Sequence, residues 1–259
     1  AAGHDVLRGL DVHISAGTQL AIVGASGAGK SSLVGLLLGW MQPLSGEIRI
    51  DGEPLTAQRL RELRRETAWL DPAIQLWNAS LLNNLMYGHD ASMMNALGKT
   101  LVAADLHGVL KHCPAGLQTQ LGEGGAFLSG GEGQRVRLGR SLLRQSARLV
   151  ILDEPFRGLN RTQRVQQMQR VRAAWPQATL LCVTHDVSET LLFERVLVME
   201  SGKIVEDAAP AVLAADENSR FHALLTTEET LQQSLWADPA WQRLWMEDGQ
   251  LRSFNAEPK

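Results

Sequence analysis

The chain has 259 residues, 44% of them hydrophobic and 20% charged, with a formal net charge of -3. That length suits one large domain, or one domain with a subdomain and a tail. The slight acidic excess gives no reason to expect nucleic acid as a partner, and two cysteines without paired or metal-ligand spacing exclude a disulfide framework.

No signal peptide stands at the start, and no apolar run approaches 18 residues, so the chain is not expected to span a bilayer. It opens at Ala1 rather than at methionine, as expected of an excised piece of a longer protein. Arginine clusters at 59, 61, 64 and 65 and at 135, 137, 140 and 144 read as solvated helix faces or partner contacts.

Val6 to Ile14, with alternation at Val12 and Ile14, predicts a strand. Ser15-Ala16-Gly17 then turns the chain into Leu20-Ala21-Ile22-Val23, a short buried strand. Directly after it comes Gly24-Ala25-Ser26-Gly27-Ala28-Gly29-Lys30-Ser31, a complete G-x-x-x-x-G-K-[ST]. Ser32 to Leu38 follows as an apolar helix. The glycines let the backbone wrap a phosphate, with amide N–H groups and the helix N-terminus facing its charge. Lys30 would reach the β- and γ-phosphates and Ser31 would hold Mg²⁺, with Gly24 through Ser32 as nucleotide contacts. A nucleoside triphosphate site is expected here.

Glu47 to Ile50 predicts another strand, closed by Asp51-Gly52. Leu55 to Arg65 predicts an amphipathic helix, and Thr67 to Leu70 a strand ended by Asp71-Pro72. The texture changes over about 73–145. Helices are expected at Ser80–Met86, Asp90–Leu97, Thr100–Leu110 and Gly133–Leu143, interrupted by the glycine-rich stretch 122–131. This reads as a helical insert carried on an α/β core.

Leu149-Val150-Ile151-Leu152 has no polar face, as expected of a central parallel strand covered on both sides. Leu159 to Trp175 predicts the crossover helix, Thr179 to Thr184 the next buried strand, Val187 to Phe193 a helix, and Arg195 to Met199 a further strand. The alternation of strands and helices predicts a mostly parallel sheet. From 229 to 259 the chain reads as a tail. Asp238-Pro239 predicts a helix start, Trp241, Leu244 and Trp245 share one face, and Asp248-Gly249 ends it. With Trp236 this makes an aromatic stripe, either packed on the chain's own domain or docking a partner.

Asp153-Glu154 ends the apolar run at 149–152. An Asp at the end of such a strand helps hold Mg²⁺, and a second carboxylate beside it is placed to orient and polarise the attacking water. His185 follows the next buried strand and would enter the same crevice at the strands' carboxyl ends.

Leu128-Ser129-Gly130-Gly131-Glu132-Gly133-Gln134-Arg135 resembles the L-S-G-G-Q signature of ABC-type ATPases, with Glu132 in place of the usual Gln. Thr184-His185 is similar to the family's switch histidine. Residues 76–88, Leu76-Trp77 through Tyr87-Gly88, resemble the exporter pattern L-F-x-x-[ST]-I-x-x-N-I-x-x-G. Thr119-Gln120-Leu121-Gly122-Glu123-Gly124-Gly125 resembles the exporter loop T-x-V-G-E-x-G, which contacts intracellular coupling helices. The resemblance covers roughly residues 4 to 225.

It implies an α/β P-loop NTPase with a mostly parallel core sheet, N-terminal antiparallel strands and a helical subdomain. Residues 1–228 would be the nucleotide-binding domain of an ABC exporter, normally fused behind a transmembrane domain and lying on the cytoplasmic face of the membrane. Two such domains would face head to tail, so that Ser129, Gly130 and Gly131 serve the opposite copy's ATP. Catalysis would fall to Glu154, His185 and Lys30, with Ser31 and Asp153 on Mg²⁺.

Three departures stand out. The family's Mg²⁺- and water-contacting glutamine falls on Pro72, the Asp of its S-A-L-D falls on Asn160, and the adenine-stacking aromatic, usually several residues before Val6-Leu7, is either beyond the start of this sequence or absent, His4 being a poor candidate. These leave two other readings open: a weakly hydrolysing regulatory half of an asymmetric pair, and a non-transport ABC ATPase. The exporter-like segments disfavour the latter.

Overall fold

The computed structural model describes residues 6–71, 75–156, 159, 161–237, 243–247 and 250–254. β1 (Gln19–Val23) runs into α1 (Lys30–Leu37). A small antiparallel hairpin, β2 (Arg49–Ile50) and β3 (Glu53–Pro54), leads to α2 (Ala57–Arg65), whose first turn is capped by the Thr56 side chain. β4 (Thr67–Leu70) returns to the sheet. The helical block then holds α3 (Leu81–Met86), α4 (Met94–Ala103), α5 (His107–Lys111) and α6 (Gly130–Leu142). β5 (Leu149–Asp153), α7 (Arg161–Ala174), β6 (Thr179–Val183), β7 (Arg195–Glu200) and β8 (Lys203–Ala208) complete the core. α8 (Pro210–Ala215), α9 (Arg220–Ala237) and a hairpin of β9 (Arg243–Glu247) and β10 (Gln250–Phe254) follow.

The main sheet has the order β4-β5-β6-β1-β7-β8. Its first five strands are parallel and β8 pairs antiparallel with β7 through a bulge at Val198/Met199. Side-chain alternation explains why the inner strands are apolar throughout. Leu20 and Ile22 of β1 face a layer with Leu33 and Val34 of α1, while Ala21 and Val23 face a layer with Val136 of α6 and Val171 of α7. A strand covered on both faces keeps no polar side. The strands' carboxyl ends therefore meet at one edge, where the ligands of open α/β sheets bind.

Four expectations are corrected. Val6 to Ile14 is not a strand: Gly9 takes a left-handed φ of 56°, and Leu7, Leu10, Val12 and Ile14 pack as an irregular cover on the α1 face. The helix expected over Thr100–Leu110 divides, because Asp105 sits at φ 54° between α4 and α5. Val187–Leu192 is a 3₁₀ rather than an α-helix. In the tail, residues 243–247 form a strand and not a helix, paired with residues 250–254. The Asp-Gly pair at 248–249 lies outside the described residues, but between alternating segments it is a hairpin signal before it is a helix stop. The boundary drawn at 228/229 falls within α9.

Candidate nucleotide site

The phosphate loop begins where β1 ends, and two of its glycines have no substitute. Gly24 lies at φ 147°, and a Cβ there would stand 2.2 Å from the carbonyl oxygen of Met199 in β7. Gly29 lies at φ 101°, and its Cβ would stand 2.7 Å from the Leu7 side chain. Only glycine combines such dihedrals with so close a neighbour. The arch at Ala25, Ser26 and Gly27 is exposed while Ala28, Gly29 and Lys30 are buried. The loop is braced from outside, since Gly202 donates its N–H to the Ala28 carbonyl at 3.0 Å.

Lys30 opens α1 and is only 7% exposed. Its Nζ donates to the carbonyls of Gly24 (2.7 Å) and Ala25 (3.0 Å), which holds the ammonium under the arch. Burial lowers its pKa, and the carboxylates of Glu154 and Asp153 oppose that shift. Ser31 and Ser32 follow in the first turn of α1, with Ser31 exposed at the helix N-terminus, where an anion is favoured.

Asp153 is the last residue of β5, and burial together with the neighbouring Asp71 raises its pKa against the pull of Lys30. Glu154 takes a left-handed φ of 47°, a conformation that costs an L-residue roughly 1–2 kcal/mol. Its N–H donates to Val183 at the end of β6 (2.9 Å), so the turn joins the two strand ends. Burial, then Asp153, then Asp186 push its carboxyl up to about 7. Nε2 of the exposed His185 lies 3.3 Å from its Oε1. That approach is an ion-pair distance without hydrogen-bond alignment, and Oε1 is a buried acceptor with no hydrogen-bond donor among the described residues. A buried carboxylate oxygen held in this way is suited to take a donor from a ligand or a water molecule.

Lys30, Asp153, Glu154 and His185 are thus brought together. Ser129, Gly130 and Gly131 are not: they begin α6, and among the described residues they make no hydrogen bond or ion pair with the phosphate loop. Ser129 is the N-cap of α6 in a capping box, accepting from the Glu132 N–H (3.3 Å) while its own N–H donates to Glu132 Oε2 (2.8 Å). Glu132 Oε1 also lies 3.1 Å from His112 Nδ1. The carboxylate therefore has a local structural use where the signature normally carries Gln. Gly130 is exposed with nothing near its absent Cβ, and Phe127 beside it is 75% exposed.

The two exporter-like segments form one unit. Leu81 donates its N–H to Thr119 (2.9 Å) and Leu121 donates to Ala79 (3.0 Å). Asn84, fully buried, accepts from the Trp77 N–H (2.8 Å) and donates to the carbonyls of Trp77 (3.0 Å) and Ser80 (3.1 Å). Arg140 of α6 donates to the Asn84 carbonyl (2.7 Å) and to its Oδ1 (3.2 Å). Beside this unit lies a groove lined by Trp40, Arg64, Trp69, Tyr87, Arg140 and Arg144, cationic and aromatic together.

The family model described as ABC transporter matches residues 7–157. The chain belongs to the ABC transporter family. An ATP-dependent lipid A-core flippase of Ralstonia nicotianae is 36% identical over 79% of this chain and 35% of its own length. The Escherichia coli glutathione/L-cysteine transport system ATP-binding/permease protein CydC is 35% identical over 83% of this chain and 37% of its own. Among solved structures, a bacterial Atm1-family ABC exporter with ATP bound superposes with a TM-score of 0.80 at 27% identity, covering 87% of this chain and 40% of that one. The chain thus spans little more than a third of these curated relatives, and it is an ABC-transporter nucleotide-binding domain, similar to those of exporters.

Of the departures from the ABC pattern, Pro72, Asn160 and His4 lie outside the described residues. Among the residues that sequence reasoning missed, Gln134 of α6 donates to the carbonyl of Pro155 (2.9 Å), tying the signature helix to the strand end that carries Glu154. Its place in the signature run was the available signal. Arg164 of α7 had none: it binds the Leu159 carbonyl (2.6 Å), Glu189 (3.1 Å) and Asp186, clasping the turn after His185. Among the described residues no helix is long and apolar enough to cross a membrane.

Proposed function

We propose that this ABC-type ATPase domain hydrolyses ATP between two head-to-tail copies and so powers a transporter whose membrane domain precedes it on the same chain, at the cytoplasmic face of the membrane. The observation that carries the reading is the buried, donor-less Oε1 of Glu154 beside His185, on the same site as Lys30. In its ionised form this carboxylate orients the attacking water and accepts its proton. Lys30 would stand against the β- and γ-phosphates, and His185, exposed on the rim, would contact the γ-phosphate. Attack would be in line, with the glycine loop and the N-terminus of α1 holding the phosphates before it begins.

The site suits Mg²⁺: a hydroxyl at Ser31 and a carboxylate at Asp153 are hard oxygen donors, and a cation would offset the burial, and then the neighbouring carboxylates, that raise Asp153 and Glu154. When bound, Mg²⁺ neutralises charge that develops on the phosphates. Ser129, Gly130 and Gly131 would face the ATP of the other copy, in keeping with the exposed positions of Ser129 and Gly130. The exporter-like loop at 119–125 would contact the helices of the membrane domain.

The competing reading is a weakly hydrolysing regulatory half of an asymmetric pair. Glu132, which stands where the signature has Gln, does not speak for it, because the capping box gives that carboxylate a structural use. A steady-state ATPase assay of the chain, alone and within its full transporter, tests the proposal. Turnover abolished by Glu154→Gln supports it; a wild-type chain that binds ATP without turnover sinks it in favour of the regulatory reading.

A further inference from the structure

The turn that follows His185 is held from two sides, and one of them is the C-terminal helix. After His185 the chain enters the 3₁₀ helix Val187–Leu192, whose first N–H groups have no partner within the helix. Glu228, two turns into α9 from Phe221, answers one of them. Its Oε2 accepts from the Ser188 N–H (3.0 Å) and its Oε1 accepts from the Ser188 hydroxyl (2.7 Å). The carboxylate therefore grips both donors of one residue, three positions after the histidine. On the other side, Arg164 binds Asp186 and Glu189.

α9 is itself anchored. Glu206 of β8 accepts from the N–H of Phe221 (2.9 Å) and from the Ser219 hydroxyl (3.1 Å), and Phe221 is fully buried. The grip on Ser188 is thus referred to the rigid sheet. His185, by contrast, is on the exposed rim, between Thr184, buried behind it, and the turn ahead, and its backbone N–H donates to the Glu154 carboxyl.

We infer that Glu228 is a positioning residue for hydrolysis: through Ser188 it fixes the turn that aims His185 at Glu154 and the γ-phosphate, and so makes the C-terminal helix part of the catalytic apparatus. This rests on the hydrolysis reading above. Glu228 acts through Ser188, three positions beyond His185, so its effect belongs in turnover and not in nucleotide affinity.

The test uses the whole 259-residue chain. Steady-state and single-turnover ATP hydrolysis are measured for Glu228→Ala, Glu228→Gln and Ser188→Ala, each also in a His185→Ala background. Amide exchange at Ser188 is followed in parallel. Glu228→Ala is expected to lower kcat about tenfold, the effect of one charge-assisted hydrogen-bond pair, with KM changed less than twofold and faster Ser188 exchange. Glu228→Gln, which keeps one acceptor, falls between, and the Glu228→Ala effect disappears when His185 is already Ala. An equal loss in the His185→Ala background, or unchanged kcat despite faster exchange, overturns the positioning role while leaving hydrolysis intact. Absence of turnover in the wild type overturns both.

Discussion

Gln134 and Pro155 are joined by a 2.9 Å hydrogen bond from the buried side-chain amide to the carbonyl just after Glu154. One bond thereby links α6, the helix that Ser129 caps, with the strand end that carries Glu154. Replacing Gln134 by Leu keeps the volume and removes the donor, leaving a buried carbonyl unsatisfied at about 1–3 kcal/mol. We expect a melting temperature several degrees lower and a reduced kcat at unchanged nucleotide affinity. Unchanged kcat would restrict the bond to stability.

For Glu154→Gln, the amide keeps the shape of the side chain and loses the base. ATP binding is expected to persist while hydrolysis falls at least about 100-fold, the scale of a lost general base. Light scattering after size exclusion should then find dimers accumulating with Mg-ATP. A monomer at saturating nucleotide would count against the head-to-tail pair.

The strands at 20–23, 149–152 and 179–183 were legible because burial on both faces leaves an uninterrupted apolar run. That Lys30, Asp153, Glu154 and His185 would meet was legible because all four follow the carboxyl ends of such parallel strands, Lys30 after a glycine loop. The edge strand Lys203–Ala208 was not. It is half-exposed throughout, so its apolar residues are too few to announce it. Gly9 and Asp105 broke expected elements through left-handed backbone, which no periodicity reveals. The grip of Glu228 on Ser188 joins residues 40 positions apart and leaves no local pattern.

The capping box predicts a pH-dependent contribution from Glu132. The Ser129 N–H, and then His112, hold its carboxyl below the ordinary 4.5. A depressed folded-state pKa gives stability that is fully present above the unfolded value and is lost as pH falls through the folded one. Glu132→Gln should therefore be less stable than wild type by about 1 kcal/mol at pH 7. The gap should close as acid is taken below the ordinary glutamate range. Urea melts across that range decide it, and a pH-independent gap would mean that the charge is irrelevant.

Gly24→Ala addresses the shape of the phosphate loop. The new Cβ would lie 2.2 Å from the Met199 carbonyl, against backbone that cannot step aside. Either the loop or β7 must shift, and nucleotide affinity should fall at least about tenfold, since a 1 Å misplacement in a preorganised site is costly. Titration with a fluorescent ATP analogue measures it. Wild-type affinity would show that the loop re-forms elsewhere.

Phe221→Ala tests whether α9 belongs to the domain. Phe221 is fully buried against the helical layer, so truncation should destabilise by about 3–5 kcal/mol. Deleting 238–259, beyond the helix, should leave the melt unchanged if the hairpin serves a partner, and lower it if the hairpin packs on its own domain. Lost assembly with the membrane part would accompany the first outcome.

The order of the sheet also governs how the protein is made. β1, which carries the phosphate loop, lies between β6 and β7, and Gln19 finds its partner only at Leu180. At ordinary synthesis rates that strand waits roughly 10–30 s on the ribosome for its neighbours. During that interval an apolar strand and a glycine loop are present without a sheet to join, while the helical block, whose contacts are closer in sequence, can form ahead of them. Truncated products that end before residue 180 would therefore expose a sticky, ligand-blind core, and ATP can act as a folding ligand only once the last parallel strand has left the tunnel.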